Sequence, residues 1–410
     1  MKTGCRVLLW AAWLTAGGLG RARTIDPPYE VATWPGFRQA AVSYTFDDGC
    51  ANQFAVALPL FDELGFKLTL FTVTNWSPNW AALHKAASGG HEVASHTVTH
   101  AYLNKLTPAA QTTELKDSKE TIESHIPGRP CVTLAYPYCV PGDLSLTRQH
   151  YIAARHCQGR IEPSTPADFY QISSIICGSQ GSLKTAADFS SRFQTAASSK
   201  GWCVLLIHGV DNDGGYSPLA SAVLRSSLEF LHARPDTFWV ATFGDGVRYI
   251  QERNAVSVTE TSSQDARLTV RVTDPLEDAV YSHPVTIRRP LPAGWTSAVA
   301  SQNGHALPSS IVETGSVRSI QFDAVPDRGD VVLAKVPAKV YGDWTGDDRV
   351  ETEDLSIFLD SWLARDANET SGADLGGDGV VNFYELAVLA ENWLRAPQTV
   401  AGRPAHERTE

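Results

Sequence analysis

Two short strings carry the residues best suited to chemistry. Asp47 and Asp48 stand together in Thr45-Phe46-Asp47-Asp48-Gly49, and His96 and His100 bracket His96-Thr97-Val98-Thr99-His100. A catalytic centre for a divalent ion such as zinc takes three protein ligands of the His and Asp type and leaves one position for water. A second carboxylate, not spent on the ion, can then act as base toward that water. On this reading Asp48, His96 and His100 are the ligands and Asp47 is the base. Either string alone would say little. Asp-Asp pairs are common in solvated turns, and two histidines four apart are often unrelated surface or capped residues.

The flanking elements change that balance. Residues 40–46 read as a buried strand that Asp47-Asp48-Gly49 ends, and residues 91–95 read as a second short strand that His96 closes. A strand from Cys131 runs out into Ala135-Tyr136-Pro137-Tyr138, and one from Cys203 into Leu205-Leu206-Ile207-His208-Gly209. All four clusters therefore sit at strand C-termini, where α/β folds place their chemistry. His208 would face the same rim and suit the general acid that protonates a leaving group. Taken alone it would read as a structural histidine capping a strand.

The elements that must position these residues fall into three regions. Over residues 31–254, candidate strands at 41–46, 67–73, 92–95, 131–136, 151–154, 203–207 and 238–242 alternate with helix-like stretches at 53–64, 108–124 and 219–233. That alternation predicts an α/β fold with a parallel sheet in a distorted, barrel-like closure. Residues 255–340 change texture. Period-two alternation at 256–258, 267–273, 284–288, 316–322 and 331–336 predicts a small antiparallel β-sandwich without a catalytic constellation, a spacer or a carbohydrate-binding unit. Residues 341–396 hold an internal repeat of an oxygen-rich loop opening an amphipathic helix that ends in Trp-Leu. Its candidate ligand positions for a hard cation such as Ca²⁺ are Asp343, Thr345, Asp347, Arg349 and Asp354 in the first copy. In the second they are Asp374, Asp378, Val380, Asn382 and Glu385. Residues 397–410 read as a disordered tail.

Composition sets the outer bounds. The chain has 410 residues, 43% of them apolar and 19% charged, an ordinary globular composition long enough for two or three domains. The net charge is −11 and the basic residues are scattered, which excludes a nucleic-acid partner held by its phosphates. Lys2 and Arg6, a short apolar run and then small residues make residues 1–22 a secretory signal peptide, so the mature chain is expected to be exported, soluble and free of the membrane. Cys5 would leave with it. The other six cysteines lie in one region and allow fifteen pairings. Cys50 follows the Asp pair and Cys139 follows a loop placed beside it, so a Cys50–Cys139 bridge is one expectation and buried free thiols the other.

The ordered set TFDDG, HTVTH, AYPY and LLIH resembles the polysaccharide deacetylase (NodB-homology) family of metal-dependent carbohydrate esterases, over the first half to two-thirds of the chain. The resemblance implies a distorted (β/α) barrel with Asp48, His96 and His100 on the metal, zinc being the first choice. It implies Asp47 as base, His208 as acid, and Tyr138 near the substrate oxyanion, where a backbone amide can assist. The expected reaction is hydrolysis of acetyl groups from a carbohydrate polymer, N-acetyl ahead of O-acetyl. The alternatives are a catalytically silent carbohydrate-binding or scaffold-attached protein, and a metal hydrolase of small amides. Where the family's third motif often begins with an Arg that steadies the catalytic Asp, this chain has Ala135. Arg155, at the end of the 151–154 strand, is the candidate substitute, against the alternative of an ordinary salt-bridge arginine. The family's Asp-Trp motif, which tunes the acid histidine, has no match around residues 167–173. Trp76, Trp80 and Tyr216 could stack on sugar rings or simply pack, and His84 and His91 read as structural. The C-terminal repeat resembles dockerin modules, which implies Ca²⁺ and a cohesin-like scaffold partner. Asp348 stands where the first loop wants Gly, and Gly376 where the second usually offers Asn or Asp.

Overall fold

The strand Ala40–Asp47 is buried at every position, and its two faces are chemically distinct. Ala40, Val42, Tyr44 and Phe46 point outward, where Tyr44 and Phe46 meet the edge of Phe61 at 5.1 and 6.0 Å. Ala41, Ser43, Thr45 and Asp47 point the other way, into a lumen where the Trp202 indole donates to Ser43 Oγ at 3.0 Å. A strand covered on both faces must pair in parallel with helices outside it. In the computed structural model, which describes residues 23–336, 341–345, 349–363, 373–375 and 380–393, it does so.

Ala40–Asp47 lies between Trp202–Ile207 on one side and Thr69–Thr72 with Phe238–Val240 on the other, all in parallel register. The sheet continues through Glu92–Ser95, Thr133–Ala135 and Ala153–His156 to Ile172–Ser173. One residue later Ile175–Ile176 pairs with Trp202–Ile207, so the bent run across Ser174 joins both ends of the sheet. The result is a nearly closed parallel barrel, as expected from the alternation. Its outer helices include Trp80–Ser88, Pro108–His125, Ala186–Ser199 and Ser221–His232.

The mouth at the strand N-termini is blocked. There the Glu92 carboxylate accepts from Thr69 Oγ1 at 2.8 Å, Thr133 Oγ1 at 2.6 Å and the Gly244 amide at 2.7 Å. Gly244 and Gly246 open the helix Phe243–Ala255 at close quarters: a Cβ would lie 2.5 Å from Glu92 Oε1 at the first and 2.6 Å from Trp202 Cζ2 at the second. The opposite mouth, at the strand C-termini, is open and holds the chemistry.

Two antiparallel sheets follow. Ser257–Gln264, Arg267–Thr273, Val331–Val336, Ser297–Gln302 and His305–Ala306 form one. The other runs Glu30–Val31, Val285–Pro290, Val317–Ala324 and Ser309–Thr314, so a segment preceding the barrel completes its edge. A continuous apolar cluster containing Trp34, Val247, Ile250, Val270, Ile287, Phe322 and Leu333 joins barrel and sandwich.

The C-terminal helices Thr352–Asp360 and Phe383–Asn392 share a small core of Val350, Phe358, Ala373, Val381 and Leu389. Asp354 caps its own helix and accepts the amides of Trp344, Thr345 and Glu351 at 2.7, 2.8 and 3.0 Å. Glu385 accepts the Asn382 amide at 2.9 Å. Asp347 and Asp378, and the segments expected as a signal peptide and a tail, lie outside the described residues. The expected Cys50–Cys139 bridge does not form. Cys139 pairs with Cys157, on the loop leaving the neighbouring strand, and Cys50 is free.

Candidate metal centre and active site

Each candidate residue reaches the open mouth because its strand ends there. Asp47 is the last residue of Ala40–Asp47 and points into the lumen. Asp48 follows with φ of 73°, a left-handed turn that swings its carboxylate across the mouth. His96 follows Glu92–Ser95, and its Nδ1 bonds the Ala135 carbonyl at 2.8 Å, which leaves Nε2 to face the site. His100 returns at the end of a tight loop, also with positive φ. Asp48 Oδ1 lies 3.7 Å from the Nε2 atoms of both His96 and His100, and the three donor atoms lie within 4.8 Å of one another. Donors bound to one tetrahedral zinc at about 2.0–2.2 Å would stand roughly 3.4 Å apart. Asp48 Oδ1 is buried without a hydrogen-bond partner, an atom that needs a cation or a proton. The set fits a divalent transition ion. Among the described residues it is the one such group of His, Cys, Asp and Glu.

Asp47 is held differently. Arg155 Nη2 donates to Asp47 Oδ2, Arg155 Nη1 donates to Ser174 Oγ at 3.2 Å, and the guanidinium lies over the Phe71 ring. Arg155 thus supplies Asp47 with a contact that Ala135 cannot make. Asp47 Oδ1 keeps no partner. His208 Nε2 stands 4.0 Å from both carboxylates, and His208 Nδ1 has no partner.

The charges follow from this packing. Burial alone would raise the Asp47 carboxyl, but Arg155, His96 and His208 override it and hold it below the ordinary range. Asp48 is pushed up to about 7 by burial and by the Asp47 charge beside it. Burial lowers His96 to about 4 and also lowers His100 and His208, so the imidazoles rest neutral with lone pairs available.

Two positioning residues had no signal in the motifs. The Gln53 amide donates to the backbone carbonyls of Asp47 at 2.5 Å and His208 at 2.9 Å, tying two strand ends together. Glu114, from the helix Pro108–His125, accepts the amides of Val98 and Thr99 at 2.9 Å each and the Thr99 hydroxyl at 2.6 Å, so the loop between the two histidines is pinned.

Tyr138, with φ of 54°, stacks on Tyr102 at 3.8 Å and meets His100 edge-on at 4.5 Å. Trp76 lies 5.1 Å from His100, and Tyr216 meets His208 edge-on at 5.0 Å. Trp80 instead stacks on His125, apart from the site. His91 is structural, accepting the Leu68 amide and facing Asp62. The cavity over the centre measures about 540 Å³, and Ile176, Leu206, Cys139 and Cys157 give it an apolar wall.

Residues 36–152, which contain Asp47, Asp48, His96, His100 and Tyr138, match the family model for polysaccharide deacetylase. That stretch of the barrel is similar to the polysaccharide deacetylase family. The chain is 30% identical over 330 residues to a gellan lyase from a Bacillus species, covering 74% of this chain and 13% of that protein. A protein of Arthroderma benhamiae named as a peptidoglycan-N-acetylglucosamine deacetylase is 35% identical over 94 residues, 20% of this chain and 21% of the other. The chain thus spans about an eighth and a fifth of the lengths of these relatives. A structure from Mycobacterium smegmatis, classed with the polysaccharide deacetylases, is similar at 18% identity and a TM-score of 0.43, covering 57% of this chain and 98% of that one. Among the described residues no helix is long and apolar enough to cross a membrane.

Proposed function

We propose that this chain is a secreted, metal-dependent hydrolase that removes acetyl groups from a carbohydrate polymer, N-acetyl ahead of O-acetyl. The supporting observation is the pairing of two unlike carboxylates. Asp48 converges with His96 and His100, while its neighbour Asp47 is tied to Arg155 and keeps Oδ1 free. Asp48, His96 and His100 would hold the ion, zinc being the first choice for a His/Asp set. When bound there, such an ion supplies Lewis-acid polarisation and lowers the pKa of a water.

The chain's own residues do the rest. Asp47 accepts the water's proton at Oδ1, since Oδ2 stays with Arg155. His208 rests neutral because burial outweighs the Asp47 carboxylate 4.0 Å away, so it acts as acid only after taking up a proton, which Nε2 then gives to the departing nitrogen. The Tyr138 amide is the proposed oxyanion donor, set by the left-handed turn. Ile176 and Leu206 suit the acetyl methyl group. The N-acetyl preference draws support from the name of the Arthroderma relative.

The test is acetate release from acetylated chitin, peptidoglycan and xylan by chelated protein re-supplied with single metals. Release that zinc restores, and that Asp47→Asn removes while the metal stays bound, is the expected result. No release from any polymer under any metal would leave the silent carbohydrate-binding reading in its place. The C-terminal repeat is proposed as a Ca²⁺-dependent attachment module for a cohesin-like scaffold protein. Calorimetry with Ca²⁺ on the full, zinc-loaded chain tests it, and no heat of binding would remove that role.

A further inference from the structure

The wall of the active-site cavity contains a covalent bond that the reaction described above does not use. Cys139 and Cys157 both line that cavity and both are partly exposed, whereas Cys131, Cys177 and Cys203 are buried. Cys139 directly follows Tyr138, and Cys157 lies two residues beyond Arg155. We propose that the Cys139–Cys157 disulfide is a positioning element: it holds the Tyr138 turn against the strand that carries Arg155, so reductive opening lowers turnover and leaves the metal site intact. The effect on turnover rests on the deacetylase reading.

The turn needs an external tie. Tyr138 and Cys139 have φ of 54° and 58°, consecutive left-handed residues that are not glycine. Such backbone persists only where its surroundings over-determine it. The backbone bonds of the turn, Cys139 N to the Tyr136 carbonyl at 3.0 Å and Val140 N to the Pro137 carbonyl at 3.1 Å, are local and do not anchor it to a neighbour. The last ladder bond between the two strands is Tyr136 N to the Arg155 carbonyl at 3.2 Å. Just past that bond the strands' outgoing loops meet through the disulfide, with Cα atoms 5.5 Å apart. Stacking on Tyr102 adds a non-covalent contact from a third loop. The metal ligands have ties of their own: the Asp48 turn, the Ala135 carbonyl that holds His96 Nδ1 on the strand before the bridged turn, and Glu114 on the loop before His100. Opening the bridge should therefore separate catalysis from metal binding.

The experiment uses the zinc-loaded full chain before and after treatment with a water-soluble phosphine. The S–S bond breaks, each sulfur leaves as a thiol, and the phosphine is oxidised to its oxide with oxygen from water. Amide hydrogen exchange, metal affinity, and kcat and KM on a small acetyl ester are read for each state. Reduction should raise exchange over residues 136–141 while 44–48 and 94–100 keep theirs. It should lower kcat on the order of ten- to a hundredfold, the scale of a misplaced catalytic group, with metal affinity unchanged. Cys139→Ser with Cys157→Ser should reproduce the reduced state and no longer respond to phosphine, and Cys50→Ser should behave as wild type. Equal exchange over 136–141 in both states would overturn the proposal, as would an unchanged kcat or a parallel loss of metal. If the oxidised protein hydrolyses nothing, the deacetylase reading fails and the exchange result alone decides the bridge. Should the double variant not fold, reduction of the wild type still decides.

Discussion

Arg155 reaches across the barrel lumen to Oδ2 of Asp47, a residue 108 positions away in sequence, and both side chains are almost wholly buried. The pair is the reason a buried carboxylate stays ionised at neutral pH. Replacing Arg155 with Met removes the largest of the charges that oppose burial, so the Asp47 pKa rises. A base that must be ionised then becomes active only at higher pH. The acidic limb of kcat/KM should shift upward in pH, with turnover at pH 7 reduced on the order of a hundredfold. Arg155→Lys should recover only part of it, because a point charge cannot bond Asp47 and Ser174 together as the planar fork does. A pH–rate profile of the zinc-loaded variants checks this, and an unmoved limb would assign Arg155 a purely architectural role.

Glu114 contributes no atom to the metal set yet fixes the backbone between its two histidines through three hydrogen bonds. Glu114→Gln keeps the size but replaces one acceptor with a donor facing the loop's own donors. Partners of this kind typically cost roughly ten- to a hundredfold in metal affinity when changed. Zinc competition with a chromogenic chelator should report a loss of that order, while the melting temperature of the metal-free protein moves little. Equal zinc affinity would mean that the loop keeps its shape without Glu114.

The strand ends that bear Asp47, His96, Tyr138 and His208 were legible because each closes an apolar run, and burial on both faces leaves such runs unbroken. Arg155 was legible only as a candidate, since no spacing rule reveals which residue will cross a lumen. Residues 172–176 were missed because the run is two short pairs broken by Ser174, although that break lets it serve both edges of the sheet. Phe243–Ala255 was missed because Gly244 and Gly246 weaken its first turn as a helix signal. They are there for space, with Glu92 and Trp202 standing where side chains would go. In the sandwich, Ser309–Thr314 is mostly exposed and its two apolar residues, Ile311 and Val312, are adjacent, so it lacks the alternation that betrayed its neighbours. Cys139 took Cys157 as partner because adjacent strands bring their outgoing loops together, a fact of register that a count of cysteines does not contain.

At the blocked mouth, Glu92 offers a test of the fold apart from the chemistry. Burial raises its carboxyl, and the donors Thr133, Gly244 and Thr69 with nearby Arg248 only partly oppose this. The sign follows from linkage. A group whose folded pKa is raised contributes its full stability below the unfolded value, near 4.5, and loses it as pH climbs through the folded one. Glu92→Gln removes the ionisation, and its amide can still accept from Gly244 and donate to the Thr133 hydroxyl. The variant should melt higher than wild type at pH 8 and no higher at pH 4. A difference independent of pH would show that Glu92 does not titrate with folding.

Trp76 and Tyr216, each about half exposed, stand beside His100 and His208 respectively. Large exposed rings at the rim of a polar centre suit sugar faces, which present C–H groups to the π surface. An aromatic contact is worth about 0.5–1.5 kcal/mol beyond area, or roughly two- to tenfold in affinity. Trp76→Ala and Tyr216→Ala should therefore raise KM for a polymer by that factor each, while KM for a small acetyl ester stays near wild type. Trp76→Phe should recover most of the loss. Trp80→Ala is the internal control: its ring stacks on His125 at 4.0 Å, so the change should lower the melting temperature and leave polymer KM alone. Steady-state kinetics on polymer and ester in parallel distinguish the two kinds of tryptophan. If both substrates lost affinity together, Trp76 would be packing the His100 loop and not binding sugar.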